Sequence, residues 1–113
     1  MKKKISSLSK SEDFRNILKG KKLANKYFTI FFKKLVNRKN KDLNMSIVTK
    51  KKLGNAVKRN KIKRRLKNIM NLAIKKININ YNYSYLLIAK KTVLEDEYNN
   101  IKQTIFTDFQ RIK

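Results

Sequence analysis

One stretch of this sequence is dense in groups that can hold an anion. It runs Lys50-Lys51-Lys52-Leu53-Gly54-Asn55-Ala56-Val57-Lys58-Arg59-Asn60-Lys61-Ile62-Lys63-Arg64-Arg65-Leu66-Lys67. On a helix, Ile62 and Leu66 take the inner side, and Lys58, Arg59, Lys61, Lys63, Arg64, Arg65 and Lys67 fill the remaining circumference. Arg59 and Lys63 are one helical turn apart, as are Asn60 and Arg64, so each pair lines up along the axis. Like charges at that spacing repel by a few tenths of a kcal/mol per pair. A merely solvated face mixes its signs, yet no acid lies between Lys50 and Lys91. The block therefore reads as a seat for the phosphates of a polyanion.

Catalytic chemistry has no comparable cluster. The chain has no His and no Cys, which removes the commonest general base, the commonest metal ligand and any thiolate site. Glu12, Asp13, Glu95, Asp96 and Glu97 read as helix-start residues, and Asp42 and Asp108 read as isolated. A two-metal nuclease needs carboxylates gathered at the metals. The expectation is a protein with no catalytic residues and no metal bound by the protein alone.

The whole chain repeats the bias of the block. Its 113 residues suit a single domain spanning 1–113, and 31 Lys+Arg against 7 Asp+Glu give a net charge of +24. Such an excess repels itself in a compact state unless a polyanion screens it. A disordered basic tail does not fit, because 41% of the residues are hydrophobic and 10% aromatic. No apolar run approaches a membrane span, and Met1-Lys2-Lys3-Lys4 is followed by no apolar segment of a secretion signal. The reading is a cytoplasmic protein, with residues 1–8 as a flexible basic terminus and no membrane partner.

The elements that must position the block follow from spacing. Ser11-Glu12-Asp13 opens a short helix that ends near Gly20, with Phe14, Ile17 and Leu18 on one face. Tyr27 to Phe32 is a strand with Phe28, Ile30 and Phe32 on one side and Tyr27, Thr29 and Phe31 on the other. After a polar turn at 37–42, Leu43 to Thr49 is a second strand, and the two are expected to pair as a hairpin. Gly54-Asn55 is the joint before the longest helix, about Val57 to Lys76, with an apolar stripe of Ile62, Leu66, Ile69, Met70, Ala73, Ile74 and Ile77. Residues 78–83, including Tyr81 and Tyr83, read as loop. Tyr85 to Ala89 is apolar throughout and suits a strand covered on both sides. Thr92 and Glu95 have capping-box spacing ahead of a last helix whose stripe is Tyr98, Ile101, Ile105, Phe109 and Ile112. The predicted class is α+β, a small two-layer sandwich in the order helix, strand, strand, helix, strand, helix.

The run from Lys51 to Leu66 closely resembles the signature of the bacterial ribonuclease P protein family, where Lys-Lys-aliphatic-Gly-Asn-Ala-Val and one variable residue precede Arg-Asn-Arg-Ile-Lys-Arg. Glu12-Asp13-Phe14, Leu23 to Phe28 and Tyr85 to Lys90 resemble its first helix, the approach to its first long strand and its last strand. There are departures. The family's Arg-Asn-Arg reads Arg59-Asn60-Lys61, which keeps the charge and loses a bidentate fork for phosphate. Ser46 stands for a usual Gly, Lys50 for a Ser, Leu18 for a second aromatic and Phe31 for a Tyr.

The resemblance implies a left-handed crossover through the basic helix, where chain geometry alone favours the right hand. It also implies a protein that assists, without catalysing, the removal of the 5′ leader from precursor tRNA by an RNA subunit. Magnesium would then serve the holoenzyme and be held mainly by RNA. The partners implied are that catalytic RNA, at one protein per RNA, and precursor tRNA. The residues implied for the RNA subunit are Lys51, Lys52, Asn55, Lys58, Arg59, Asn60, Lys61, Arg64, Arg65 and Lys67. Those implied for the leader are Phe14, Leu18, Thr29, Phe31, Lys63 and Lys90, around a cleft between first helix and sheet. A stacking platform beside a basic track is what single-stranded RNA requires. Two rival readings share the charge: a ribosomal or other structural RNA-binding protein, and a basic amphipathic protein acting at membranes, which would leave its apolar stripe exposed.

Overall fold

The strand expected to pair with its successor does not do so. In the computed structural model, which describes residues 5–6, 11–35 and 42–112, the elements in chain order are strand β1 (Ile5–Ser6), helix α1 (Ser11–Leu18), strands β2 (Lys21–Ala24), β3 (Phe28–Lys34) and β4 (Leu43–Val48), a 3-10 turn at Lys51–Leu53, helix α2 (Ala56–Lys76), strand β5 (Tyr83–Ala89), and helices α3 (Thr92–Glu95) and α4 (Tyr98–Arg111). The sheet order is β1-β4-β5-β3-β2. Strand β3 pairs antiparallel with β2 and β5, and β4 pairs parallel with β5. The expected hairpin of β3 with β4 is thus replaced by a hairpin of β2 with β3, and β5 inserts between the two longer strands.

The reason lies in β5. Tyr85 and Leu87 point to one face and Leu86 to the other, and all three are buried. A strand apolar on both faces gains most at the centre of a sheet. Because β4 and β5 are parallel neighbours, the chain between them must cross the sheet. That crossover is α2, to which the resemblance assigned a left hand. Tyr83 belongs to this strand rather than to a loop, and its ring meets Phe32 edge-on at 5.4 Å.

Helices α2, α3 and α4 cover one face, and the class is α+β as predicted. Ile62, Leu66, Ile69, Met70, Ala73 and Ile74 of α2 are buried there with Ile101, Ile105 and Phe109 of α4. They meet Phe28, Ile30, Tyr85 and Leu87, with the rings of Tyr85 and Phe109 5.2 Å apart. The apolar stripes are buried, contrary to the membrane-active reading. The short α1 lies against β3 and β5, and its Ile17 is buried. Leu18, expected on the same face as Ile17, is 48% exposed. After α1 the chain passes so close to the sheet that a Cβ on Gly20 would stand 2.5 Å from the Phe32 carbonyl oxygen. Within the stretch expected to be flexible, Ile5–Ser6 form an edge strand along Leu43 and Asn44. The rest of 1–8 lies outside the described residues.

Several polar side chains are spent on holding the β2–β3 turn to the opposite end of the chain. Asn25 Oδ1 accepts the N–H groups of Tyr27 and Phe28 at 2.7 and 2.9 Å, while its Nδ2 donates to Asp108 at 2.6 Å. Asp108, expected to be isolated, is buried and bonded. Tyr27 was expected on the cleft face. It precedes the strand, its side chain is buried in the core, and its hydroxyl donates to Asp96 at 2.5 Å. Thr92 does not cap a long helix either. Its hydroxyl donates to the Lys26 carbonyl at 2.6 Å, and the last helix starts afresh after Glu97. Contacts to a distant turn have displaced the local cap.

This staple carries a pH dependence. The Tyr27 hydroxyl, then the Asn100 amide, the Glu97 N–H and Lys26 hold the Asp96 carboxyl well below the usual carboxylate range. The same hydrogen bond, with burial and the carboxylate charge behind it, pushes the Tyr27 phenol up to about 12. Asp96 therefore adds stability above its unfolded titration range and loses it as pH falls. Tyr27 adds stability below its own unfolded range and loses it as pH rises through about 12. Tyr27→Phe is expected to lower the melting temperature at neutral pH and to flatten its decline between roughly pH 5 and pH 2. Parallel melting curves for the two proteins across that acid range would show that the pair contributes nothing.

Candidate nucleic-acid interface

The start of α2 is built by two residues. Gly54 has φ 135°, a backbone region that side-chain-bearing residues rarely enter. Asn55 then closes the first turn, its Oδ1 accepting the Lys58 N–H at 3.0 Å. Asn55, read as an RNA contact, thus has a structural task. Leu53 is buried and anchors the 3-10 turn, which leaves Lys51 and Lys52 exposed beside the helix start.

The polar residues of α2 from Lys58 to Lys67 divide into three groups. Lys58, Asn60, Lys61 and Arg64 are exposed on the outer side, and the three cations make no hydrogen bond through their side chains and no ion pair among the described residues. Lys63 and Lys67 stand on the flank over β4, where with Ile5, Met45, Ser46, Ile47 and Val48 they line a groove of about 290 Å³. Arg59 and Arg65 are half-buried. Arg59 Nε is buried without a hydrogen-bond partner. Arg65 Nη1 donates to the carbonyls of Val93 at 2.7 Å and Asp96 at 3.1 Å, so this arginine ties α2 to α3 and the start of α4.

On the sheet face opposite α2, the register sets Phe31, Leu86 and Ser46 in one row across β3, β5 and β4, and Thr29, Ile88 and Val48 in the next. Phe31 is half-buried, and Lys22 Nζ lies 5.9 Å from its ring centre. Thr29 and Lys90 share a hollow of about 420 Å³ with Lys50, Lys52, Leu53, Ile88, Ala89 and Lys91. The Lys90 ammonium donates to the Asn25 carbonyl at 2.6 Å, which fixes its charge at the end of the cleft. Exposed Leu18 ends α1 on this side. Phe14 lies in α1, but its side chain falls outside the described residues. Lys63, carried by α2 on the other face, reaches the edge of β4, where it lines a groove with Ser46 and Val48 at the far ends of the Phe31 and Thr29 rows.

The structure thus brings Thr29 and Lys90 together at one hollow, with Phe31 two residues along β3, and it sets Lys58, Lys61 and Arg64 on the outer side of α2. Sequence reasoning missed Lys22, since β2 gave no apolar pattern to mark it as a strand. It also gave no cleft role to Lys50 and Lys91, which line the same hollow as Thr29 and Lys90. Lys50 was visible in the basic run, while Lys91 becomes relevant only once β5 has been placed.

This arrangement has counterparts. The family model for ribonuclease P matches residues 1–113. The chain is 34% identical to the ribonuclease P protein component of Carboxydothermus hydrogenoformans, over 90% of this chain and 86% of that one. It is 31% identical to the same component of Streptococcus agalactiae, over 91% and 90%. Among solved structures it resembles the RNase P protein of Thermotoga maritima, with a TM-score of 0.79 and 27% identity over 96% of this chain and 98% of that one. The RNase P protein of Staphylococcus aureus gives a TM-score of 0.73 and 28% identity, over 94% and 93%.

Proposed function

Because the chain belongs to the ribonuclease P protein family, we propose that it assembles with the ribonuclease P RNA through α2 and holds the single-stranded 5′ leader of precursor tRNA on the sheet face around Phe31. Hydrolysis of the phosphodiester at the mature 5′ end is left to the RNA. The observation that carries this reading is the division of α2, which buries Ile62, Leu66, Ile69, Met70, Ala73 and Ile74 on one side and presents Lys58, Lys61 and Arg64 on the outer side with no acid among them. Fixed cations on a rigid helix neutralise phosphates and release their counterions. An aromatic ring with a lysine ammonium beside it suits unstacked bases.

In this reading magnesium serves the holoenzyme and is held mainly by the RNA. No group of three or more acidic ligands comes together among the described residues, so no step is assigned to a metal held by this protein. The stoichiometry that fits a single basic helix face is one protein per RNA. No described helix is long and apolar enough to cross a membrane, and the site of action we propose is the cytoplasm, with precursor tRNA.

Sequencing the RNA that copurifies with the chain tests the partner. Ribonuclease P RNA is the expected species. Ribosomal RNA in its place would favour a structural RNA-binding protein. Reconstitution tests the division of labour: the protein lowers the magnesium or salt needed by the RNA subunit and cleaves nothing alone. Leader removal by nuclease-treated, RNA-free protein would overturn it.

A further inference from the structure

Between α2 and the start of α4 lies a groove that shares Lys61 and Arg64 with the outer helix face and adds Arg65, Asn68 and Tyr98 to them. Lys61, Arg64, Arg65 and Asn68 line it from α2 and Tyr98 from α4, around about 330 Å³ of open space. Two of its parts are fixed in place. Arg65 is held by the Val93 and Asp96 carbonyls, which leaves its Nη2 without a hydrogen bond among the described residues. Tyr98 packs against the core, and its hydroxyl donates to Asn68 Oδ1 at 2.8 Å. With its oxygen so used, Asn68 has its Nδ2 left as a donor. Lys61 and Arg64 are unpaired among the described residues. The Asp96 carboxylate does not neutralise them, since it is bonded to Tyr27, Lys26, Asn100 and the Glu97 N–H.

We infer that this groove takes one unpaired nucleotide of the RNA subunit, with its base on the Tyr98 ring and its phosphate between Lys61 and Arg64. The inference rests on the proposed assembly with that RNA. Duplex backbone would use the cations and leave the ring without a role. An acidic peptide would have the same shortcoming. A ring held beside cations, with an amide donor at its edge for a base oxygen, is the set of groups that binds an unstacked nucleotide.

The test measures binding of the full chain to the RNA subunit at several salt concentrations. Tyr98→Leu keeps apolar volume against the core and loses the stacking ring, whereas Tyr98→Phe keeps the ring and loses the bond to Asn68. Tyr98→Leu is expected to bind roughly ten- to a hundredfold more weakly with an unchanged salt slope, because stacking releases no counterions. Tyr98→Phe is expected to stay near the parent. Equal losses in the two variants, or none in either, would overturn the inference. Lys58→Ala, outside the groove, separates the two readings. If it weakens binding while Tyr98→Leu does not, the groove is wrong and the assembly stands; if neither changes binding, both fall. Should Tyr98→Leu fail to fold, ultraviolet crosslinking of the unaltered complex decides, with a single nucleotide expected on the Tyr98 peptide. Its absence would overturn the inference.

Discussion

Replacing Lys58, Lys61 and Arg64 together by alanine should lower the slope of log affinity against log salt by up to about 2 to 3, since each lost phosphate contact removes ~0.7 to 0.9. The parent's advantage over the variant should then shrink about 20- to 40-fold between roughly 50 and 200 mM salt. The fold should not suffer. These side chains are exposed, form no ion pair among the described residues and crowd one another with like charge, and alanine favours helix. Arg65→Ala is the contrast within the same run. It leaves two carbonyls, those of Val93 and Asp96, without their donor, so its main cost is stability, at about 1 to 3 kcal/mol. Binding curves and thermal melts on both variants check the division. A triple variant that assembles as tightly as the parent at every salt concentration would remove α2 from the interface.

Phe31→Ala should weaken holoenzyme affinity for precursor tRNA by about 1 to 3 kcal/mol for each base that stacks on the ring. Affinity for mature tRNA should hardly change, because the mature form has no leader. Phe31 is half-buried between Leu86 and the Lys22 ammonium, so its loss opens no sealed cavity. The melting temperature should therefore fall little. A large fall, with leader discrimination intact in the protein that stays folded, would return Phe31 to a packing role. Leu18 stands exposed where relatives carry an aromatic by resemblance, so Leu18→Phe should tighten precursor binding if the leader runs along α1.

The apolar stripes of α2 and α4 could be read from spacing and are buried as expected, except that Ile77 and Tyr98 are half-buried. Local periodicity is enough for that, because a helix has one geometry wherever it packs. The Gly54-Asn55 joint was equally plain, since a backbone turn and a side-chain cap involve only neighbouring residues. Strand pairing was not. Alternation in Phe28 to Phe32 tells which side chains share a face but not which strand lies alongside, so the proximity of β3 and β4 in sequence misled, and β5 took the place between them.

The sequence by itself determined the sign and density of charge, the run from Lys50 to Lys67, the buried sides of the long helices and the resemblance that leads to ribonuclease P. Tertiary structure decided which polar groups remain available to a partner. Arg64 and Arg65 are adjacent and chemically alike, yet one faces outward and the other is tied to Val93 and Asp96. Tyr27 and Phe31 would share a face of one continuous strand, yet the turn at Asn25 sends Tyr27 into the core and on to Asp96. Lys63, two places from Lys61, stands over the edge of β4 rather than on the outer side of α2. Neighbouring residues on a helix differ by about 100° in direction, and hydrogen bonds between distant parts of the chain consume donors without regard to sequence position. Residue type and spacing therefore name the groups able to meet a polyanion, and packing selects those left free to do it.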